Sequence, residues 1–338
     1  MRVFVTGEKG FIGSNLPKAI KKQRMIWVSG DETINQEASD VIDDFGGAAY
    51  TKKKGELCIH RNTQVFWEKF FESNKIDVVI HNAAVVGTDV VALDSKESTL
   101  TNIQGTYQIC RAAQKLKIPV CFIGTTVIYD TPKYQEVAIT EYSDLTQAPT
   151  LYGALKRTGE DIVRSVCDNW LIMRPLFAYG GEGDMNSLIA KSIYATLNDK
   201  TVDMFLDPGK IKDYMHVDDF CDAIAIAIKK RLWNNDFNVS AQVPLVTGEI
   251  VQMICDKVGR NVDDVINWKP QTDYLGNHIL SSKKFREASG WYPRISLEEG
   301  IDRSYESILK AEGYNPLEYL EKASERDLDL TQFYPDYK

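Results

Sequence analysis

Apolar residues follow two alternating patterns along the chain. Short continuous runs predict buried β-strands, and these runs lie at 3–6, 25–28, 77–84, 120–126 and 170–175. Between them, apolar residues recur at three- and four-residue spacing, which predicts amphipathic helices. Regular alternation of strands and helices is typical of a parallel sheet that is covered by helices on both faces. The pattern therefore predicts an α/β fold built on a doubly wound parallel sheet.

The composition narrows the classes of function. The chain has 338 residues and a net charge of −8, and this acidic balance argues against nucleic acid as a partner. No apolar run has the length of a membrane span, and a predicted strand begins directly after Met1. We therefore expect no membrane association, no signal peptide and a cytoplasmic location. Six scattered cysteines suit free thiols in a reducing compartment, and four widely spaced histidines predict no metal site.

Glycines follow the first predicted strand at regular spacing. Gly7, Gly10 and Gly13 lead into the first predicted helix in a G-x-x-G-x-x-G pattern. Glycine permits a tight turn there and lets main-chain N–H groups approach a pyrophosphate at the positive end of the helix. The second predicted strand is followed by Asp31, whose carboxylate would bind the adenosine ribose and repel a 2′-phosphate. The sequence therefore predicts a dinucleotide site that favours NAD over NADP.

Two polar residues open a later predicted helix. Tyr152 and Lys156 stand four residues apart in "LYGALK", and residues at this spacing share one face of a helix. The spacing is also common by chance, and taken alone it is better explained by a surface tyrosine beside a surface lysine. A catalytic interpretation needs support from the rest of the chain.

With these pieces assembled, the chain resembles the extended short-chain dehydrogenase/reductase family, in particular its NAD-dependent sugar epimerase/dehydratase group. The resemblance covers nearly the whole length of the chain. The segments that carry it are "TGEKGFIG", "HNAA" at 81–84, Asn102, "GTTVIY", "YGALK", "MRPLFAYG" and "KDYMHVDDF".

The resemblance implies a Rossmann domain that binds NAD, a smaller mixed domain that binds substrate, and a tail. The implied ranges are 1–175 with 212–240 for the Rossmann domain, 176–211 with 241–315 for the substrate domain, and 316–338 for the C-terminal tail. The helices near 99–116 and 153–168 correspond to the pair that forms a four-helix dimer interface in this family. We therefore expect a homodimer.

The resemblance also implies a catalytic set of Thr125, Tyr152 and Lys156. Lys156 would bind the nicotinamide ribose and lower the pKa of Tyr152, which favours phenolate at neutral pH. Tyr152 would then remove the proton of a substrate hydroxyl that Thr125 orients. The implied cofactor contacts are Gly7, Gly10, Phe11, Ile12, Gly13, Asp31, Asn82, Ala83, Ala84, Asn102, Tyr152, Lys156 and Pro175.

Several substrate positions depart from the family pattern. The implied substrate contacts are Val86, Thr126, Phe177, Asn186, Lys212 and His278. The family commonly has Asn where Phe177 stands and Arg where Lys212 stands, and a second C-terminal arginine has no clear counterpart near His278. Since these positions normally hold the phosphates of a sugar nucleotide, we expect an unusual nucleotide sugar or a smaller substrate. His60 likewise replaces an acid that normally accepts from adenine.

The residues after Thr125 bear on the reaction. Family members that dehydrate nucleotide sugars have an Asp-Glu pair beside the catalytic threonine, and this chain has Thr126 and Val127 there. Neither side chain transfers the protons that elimination of water requires. The leading hypothesis is a nucleotide-sugar epimerase that acts at C4 through a transient 4-keto sugar. The alternatives are a 4-keto-sugar reductase that uses NADH or NADPH, and a non-enzymatic sensor that binds NAD.

Overall fold

The computed structural model describes residues 1–29, 52–53, 56–57, 62–147, 150–181, 183–184, 186–198, 200–270 and 275–311. The strands are β1 (Arg2–Thr6), β2 (Ile26–Val28), β3 (Lys52–Lys53), β4 (Glu56–Leu57), β5 (Val78–His81), β6 (Val120–Ile123), β7 (Trp170–Pro175), β8 (Ala178–Tyr179), β9 (Val202–Met204), β10 (Ile211–Asp213), β11 (Met215–His216), β12 (Asn235–Val239), β13 (Pro244–Val246) and β14 (Ile266–Trp268).

The α-helices are α1 (Phe11–Lys22), α2 (Gln64–Ser73), α3 (Thr88–Leu93), α4 (Ser95–Thr99), α5 (Thr106–Lys115), α6 (Leu151–Val166), α7 (Leu188–Leu197), α8 (Val217–Lys229), α9 (Thr247–Asp256), α10 (Val262–Val265), α11 (Lys283–Ser289) and α12 (Leu297–Ala311). A π-helical turn covers Leu100–Gly105, and short 3₁₀ helices cover Thr126–Ile128 and Thr131–Tyr134.

Among the described residues, the main sheet has six parallel strands in the order β12-β7-β6-β5-β1-β2. This sheet confirms the predicted doubly wound fold. The chain builds outward from β1 to β2 and then continues on the other side of β1 with β5. In such sheets, ligands bind in the crevice at the carboxyl ends of the strands where the order reverses. That crevice lies here between the ends of β1 and β5.

Helices cover both faces of the main sheet. On one face α1 and α8 pack over an apolar cluster that includes Leu16, Phe220 and Ile224. On the other face α2, α5 and α6 pack over a second cluster, in which Trp67 and Phe71 are almost fully buried. Because strands buried on both faces need apolar side chains on both sides, they appear in sequence as continuous apolar runs rather than as alternating patterns.

A third apolar cluster lies outside the main sheet. It is formed by α7, α9 and α12 and includes Ile193, Ile254 and Tyr305, which are buried. Three two-stranded sheets accompany it: β8 with β11 and β9 with β14 are parallel, whereas β10 with β13 is antiparallel. The predicted domain boundaries stay a prediction, but this cluster and the main sheet have separate apolar cores.

Within the described ranges, no helix is both long and apolar enough to cross a membrane. The same part of the chain contains no group of three or more metal-ligating side chains arranged to hold a metal ion. Five cysteines lie in it, at positions 110, 121, 167, 221 and 255, and all five are buried free thiols.

Candidate active site

The glycine loop makes a tight turn against the end of β5. Gly7 has φ of +67°, and a Cβ atom on it would lie 2.8 Å from Cα of Ala83. The N–H of Gly10 donates to the carbonyl oxygen of Gly7 at 3.1 Å. A Cβ on Gly13 would lie only 2.1 Å from that same oxygen. A side chain at Gly7 or Gly13 would therefore clash with the main chain. Glycine at these two positions allows the loop to lie close to the end of β5.

The start of α1 is suited to an anion. Gly10 is the N-cap and has no side chain to accept from the first N–H groups of the helix, and no acidic residue lies in the first turn. Such N–H groups, together with the helix dipole, bind phosphate. Phe11 and Ile12 are partly buried and pack on the core below the loop. The loop therefore fits the pyrophosphate of a dinucleotide. Asp31 and His60 lie outside the described residues.

A buried hydrogen-bond chain connects the ends of β1 and β5. The hydroxyl of Thr6 accepts from the N–H groups of Asn82 (3.2 Å) and Ala83 (3.0 Å), so its own proton points to Nδ1 of His81 at 2.8 Å. Nε2 of His81 is then the donor to the hydroxyl of Thr106 at 2.9 Å. Burial, and to a lesser extent the charge of a nearby lysine, lowers the pKa of His81 to about 3. The imidazole is therefore a neutral connector.

Asn102 holds the segment that comes after β5. Its side chain accepts from the N–H of Val85 at 2.8 Å and donates to the carbonyl of the same residue at 2.9 Å. The hydroxyl of Thr106 donates to the carbonyl of Asn102 at 2.7 Å, which links this clamp to the imidazole chain. Asn82 donates to the carbonyl of Gly7 at 3.1 Å. The structure therefore brings together the glycine loop, the segment after β5 and Asn102.

Thr125 and Tyr152 lie on adjoining segments. Thr125 lies just after the end of β6 and is buried, and its hydroxyl accepts from the N–H of Val127 at 3.4 Å. Thr150 caps α6 by accepting from the N–H of Gly153 at 3.1 Å. A Cβ on Gly153 would lie 3.5 Å from the carbonyl oxygen of Val127. The first turn of α6, which carries the partly buried Tyr152, thus packs on the turn that begins at Thr125.

Lys156 extends from the next turn of α6 into the core. It is 4% exposed, and its ammonium group donates to the carbonyl oxygen of Ile123 and lies 4.4 Å from the centroid of the Phe122 ring. Burial lowers the pKa of Lys156 to about 8, and the charge of Glu160 opposes this shift. At neutral pH the side chain is therefore an ammonium ion, although by a small margin.

The structure contains a buried ion pair near Lys156, between Glu160 and Arg174, that the sequence analysis did not predict. Arg174 donates to both carboxylate oxygens of Glu160, at 2.9 and 2.7 Å. It also donates to the hydroxyl of Tyr129 at 2.9 Å and to Asp236 at 2.8 Å. Two signals could have revealed the pair: Glu160 stands four residues after Lys156, and Arg174 interrupts an otherwise apolar strand.

Three of the predicted substrate residues form a cluster. Phe177 has φ of +33°, in the left-handed region that a bulky residue rarely adopts. Its ring stacks on Tyr214 at 5.3 Å between centroids and meets His278 edge-on at 5.4 Å. The ammonium of Lys212 lies 5.6 Å from the Phe177 centroid and donates to the carbonyl of Gly276 at 2.6 Å. We call Phe177, Lys212 and His278 the 177/212/278 cluster.

His278 is fully buried in this cluster and carries no charge. Burial, with a smaller contribution from the charge of Lys212, lowers its pKa to about 3. Neither ring nitrogen has a hydrogen-bond partner among the residues that the structure describes. Leaving a buried polar group unpaired costs about 1–3 kcal/mol. The imidazole therefore offers one unused donor and one unused acceptor.

The segment around His278 is held by a side chain that the sequence did not single out. Gln135 accepts from the N–H of Asn277 at 2.7 Å, and its own carbonyl accepts from the Asn277 side chain at 2.8 Å. The amide oxygen of Asn277 accepts from the N–H of Ile211 at 2.9 Å. Residues 275–280 are thus joined both to residues 135–139, which follow the second 3₁₀ helix, and to β10.

Five other predicted site residues lie apart from these contacts. Thr126 is buried beside Thr125, Pro175 ends β7, and Ala84 is partly buried in the segment after β5. Val86 and Asn186 are exposed. Their assignment to cofactor or substrate stays a prediction.

Comparison with known proteins identifies the family. The NAD dependent epimerase/dehydratase family matches residues 3–240. The chain is 27% identical over 317 residues to UDP-glucose 4-epimerase of Mycolicibacterium smegmatis, covering 90% of this chain and 98% of that protein. It is 23% identical over 338 residues to dTDP-glucose 4,6-dehydratase of Haemophilus influenzae, covering 91% and 98%.

Among solved structures, UDP-glucose 4-epimerase of Thermotoga maritima with UDP-glucose has the same fold. It superposes with a TM-score of 0.74 at 21% identity, covering 92% of this chain and 99% of that one. The curated relatives include both epimerases and dehydratases of nucleotide sugars, so they do not select one reaction. On the match over residues 3–240, the chain belongs to the NAD-dependent epimerase/dehydratase family and is an NAD-dependent enzyme of the extended short-chain dehydrogenase/reductase type.

Proposed function

We propose that the protein is a nucleotide-sugar 4-epimerase. The observation that carries the proposal is the pair Thr126 and Val127 beside an otherwise complete set of Thr125, Tyr152 and Lys156. An epimerase needs one proton relay at the oxidised carbon. A dehydratase needs a further acid and base to eliminate water, and the side chains of Thr126 and Val127 supply neither.

The chain's own residues account for the proton transfer. When bound, NAD supplies a reversible hydride acceptor. Thr125 orients the C4 hydroxyl of the sugar, and Tyr152 removes its proton as a 4-keto sugar forms. Lys156, held as an ammonium beside Tyr152, favours the phenolate that this step requires. The keto sugar rotates within the site. Once the hydride has returned to the opposite face of C4, Tyr152 gives the proton back to the same oxygen.

The 177/212/278 cluster supports a substrate that is unusual in the part remote from the reacting carbon. We assign it to the part of the substrate remote from C4. Lys212 brings a positive charge there, while His278 is neutral and offers a donor and an acceptor. A lysine ammonium holds phosphate as a point charge, without the bidentate grip of arginine. The substrate is thus a nucleotide sugar whose diphosphate is gripped weakly, because Lys212 lacks the fork of an arginine and already donates to the carbonyl of Gly276.

The test is proton NMR of the protein with UDP-, GDP-, CDP- and dTDP-hexoses and catalytic NAD. New anomeric signals without net NADH formation are expected. Net oxidation of added NADH by 4-keto sugars would indicate the reductase instead, and a new 6-deoxy methyl signal would indicate a dehydratase. No turnover of any sugar, with NAD bound, would favour the sensor.

A pair of variants tests the role of Tyr152 separately. Tyr152→Phe should abolish turnover and leave NAD binding unchanged, because only the phenolic proton carrier is removed. Tyr142→Phe makes the same chemical change at a side chain that is 85% exposed, and it should retain wild-type turnover. Equal turnover in both variants would remove Tyr152 from the mechanism.

A further inference from the structure

Charges of alternating sign run from Lys156 to the protein surface. Lys156 and Glu160 lie one turn apart on α6, and Glu160 pairs with Arg174. Arg174 in turn pairs with Asp236, which also pairs with Arg164 near the surface. Burial alone would raise the pKa of Asp236, but Arg174 and Lys284 lower it to about 2, so this carboxylate is ionised. The mechanism uses the first residue of this row and leaves the rest without a role.

The end of β6 holds Lys156 and Glu160 in one arrangement. The carbonyl of Ile123 accepts from Lys156, and the next residue, Gly124, lies against Glu160. A Cβ on Gly124 would approach a carboxylate oxygen of Glu160 to 2.6 Å, so the strand passes directly over that group. Arg174 donates to both carboxylate oxygens of Glu160, and its Cγ would lie 2.9 Å from the same Cβ. Glu160 is therefore fixed in the core, with its side chain 1% exposed.

Few other groups can stabilise the charge of Lys156. His81 on β5 is neutral, and Phe122 on β6 contributes only its ring face. Tyr152 lies one turn before Lys156 on α6. A buried ammonium ion without a compensating carboxylate tends to lose its proton. Glu160 is the acidic side chain whose charge acts on Lys156 within the described ranges.

We propose that Glu160 is a positioning residue that keeps Lys156 in its ammonium form, and that Arg174 anchors Glu160 for this task. The proposal rests on the proposed function, in which the charge of Lys156 supports Tyr152. It adds that this charge depends on a carboxylate that touches neither substrate nor cofactor. The buried pair of Glu160 and Arg174 thus serves the catalytic lysine as well as the packing of α6 on the sheet.

The test monitors Lys156 itself by NMR of the full chain labelled with ¹³Cε-lysine, titrated from pH 6 to 11. Loss of one signal in Lys156→Arg assigns the resonance. The wild-type midpoint should lie near pH 8. Glu160→Gln should lower it by about one pH unit, since it removes the charge but keeps a hydrogen-bond acceptor for Arg174. Glu160→Asp retains a charge and should titrate closer to wild type.

The matched control is Asp236→Asn, which also removes one carboxylate from Arg174 but leaves Glu160 in place. Its midpoint should equal that of wild type. A wild-type midpoint in Glu160→Gln, or the same downward shift in Asp236→Asn, overturns the proposal. If Glu160→Gln does not fold, the same question is tested in the wild-type protein. The ¹³Cδ signal of Glu160, assigned with Glu160→Asp, should shift with the same pH midpoint as Lys156. A Glu160 signal that does not shift there overturns the proposal. None of these measurements depends on which sugar is turned over.

Discussion

His278 makes the folded state sensitive to mild acid. The side chain is fully buried, has no hydrogen-bond partner among the described residues, and lies against the Phe177 ring and near the charge of Lys212. Protonating it in place would add a second buried cation beside Lys212 without any compensating contact. Replacing it by leucine, which has a similar volume, removes the titrating group and breaks no hydrogen bond described in the structure. We predict that His278→Leu makes the protein less sensitive to acid.

The size of the effect can be worked out from proton linkage. The pKa of His278 is about 3 in the folded state and takes its ordinary value of 6.5 in the unfolded chain. The unfolded state therefore binds the proton first, and stability is lost as pH falls below 6.5. At pH 5 the loss amounts to about 1.5 pK units, or about 2 kcal/mol, and at pH 7.5 it is close to zero. Because pH 5 lies well above the folded pKa, this result hardly depends on the folded value.

Urea unfolding monitored by tryptophan fluorescence at pH 7.5, 6 and 5 measures the difference. Between pH 7.5 and 5, wild type should lose about 2 kcal/mol more unfolding free energy than His278→Leu. His81, which is buried and has an equally low pKa, is present in both proteins, so its contribution cancels. Parallel pH dependence in the two proteins would refute the reasoning, since it would mean that His278 protonates freely in the folded state.

Three further predictions concern the glycine loop, the buried hydrogen-bond chain that begins at Thr6, and the predicted homodimer. Gly13→Ala should weaken NADH binding at least about tenfold in a fluorescence titration, because its Cβ would lie 2.1 Å from the carbonyl oxygen of Gly7; Gly209→Ala, whose Cβ would approach only a side-chain carboxylate, should bind NADH as wild type does. Thr6→Val should lower the unfolding free energy by about 2 kcal/mol in urea, since two main-chain N–H groups lose their acceptor, and Thr6→Ser should restore it. Tyr107→Asp, at a half-exposed position on α5, should convert the predicted homodimer to monomers in light scattering, and a monomeric wild type would contradict the prediction.

The main sheet was predictable because a strand that is buried on both faces appears in the sequence as a continuous apolar run. Each of the five apolar runs became one of its strands in the structure. The ends of these strands were harder to predict than their positions. The runs at 77–84 and 120–126 extend past the strands, which stop at His81 and Ile123. Beyond each of these two strands the chain carries predicted site residues. After His81 it is held by hydrogen bonds to the side chains of Thr6 and Asn102, and after Ile123 it soon enters the 3₁₀ helix Thr126–Ile128.

The proposed catalytic residues could be selected from the sequence for a different reason. Glycine spacing after β1 and the four-residue spacing of Tyr152 and Lys156 are local patterns, and local patterns survive in a single sequence. The pair of Glu160 and Arg174 spans two elements that come together only in the fold. The sequence shows the four-residue spacing of Lys156 and Glu160, but the contact of Glu160 with Arg174 becomes apparent only in three dimensions.

The 177/212/278 cluster shows that residue types alone do not give the charge of a buried site. Read as residue types, Lys212 and His278 are two cationic or ionisable groups in a place where a diphosphate is expected. In the fold, the ammonium of Lys212 already donates to the carbonyl of Gly276, and burial keeps His278 neutral. The charge available to a substrate is therefore smaller than the residue types suggest. Charge at a buried position is a property of the surroundings. The search for the proposed nucleotide-sugar substrate should therefore consider how weakly its phosphates would be held as much as the identity of its sugar.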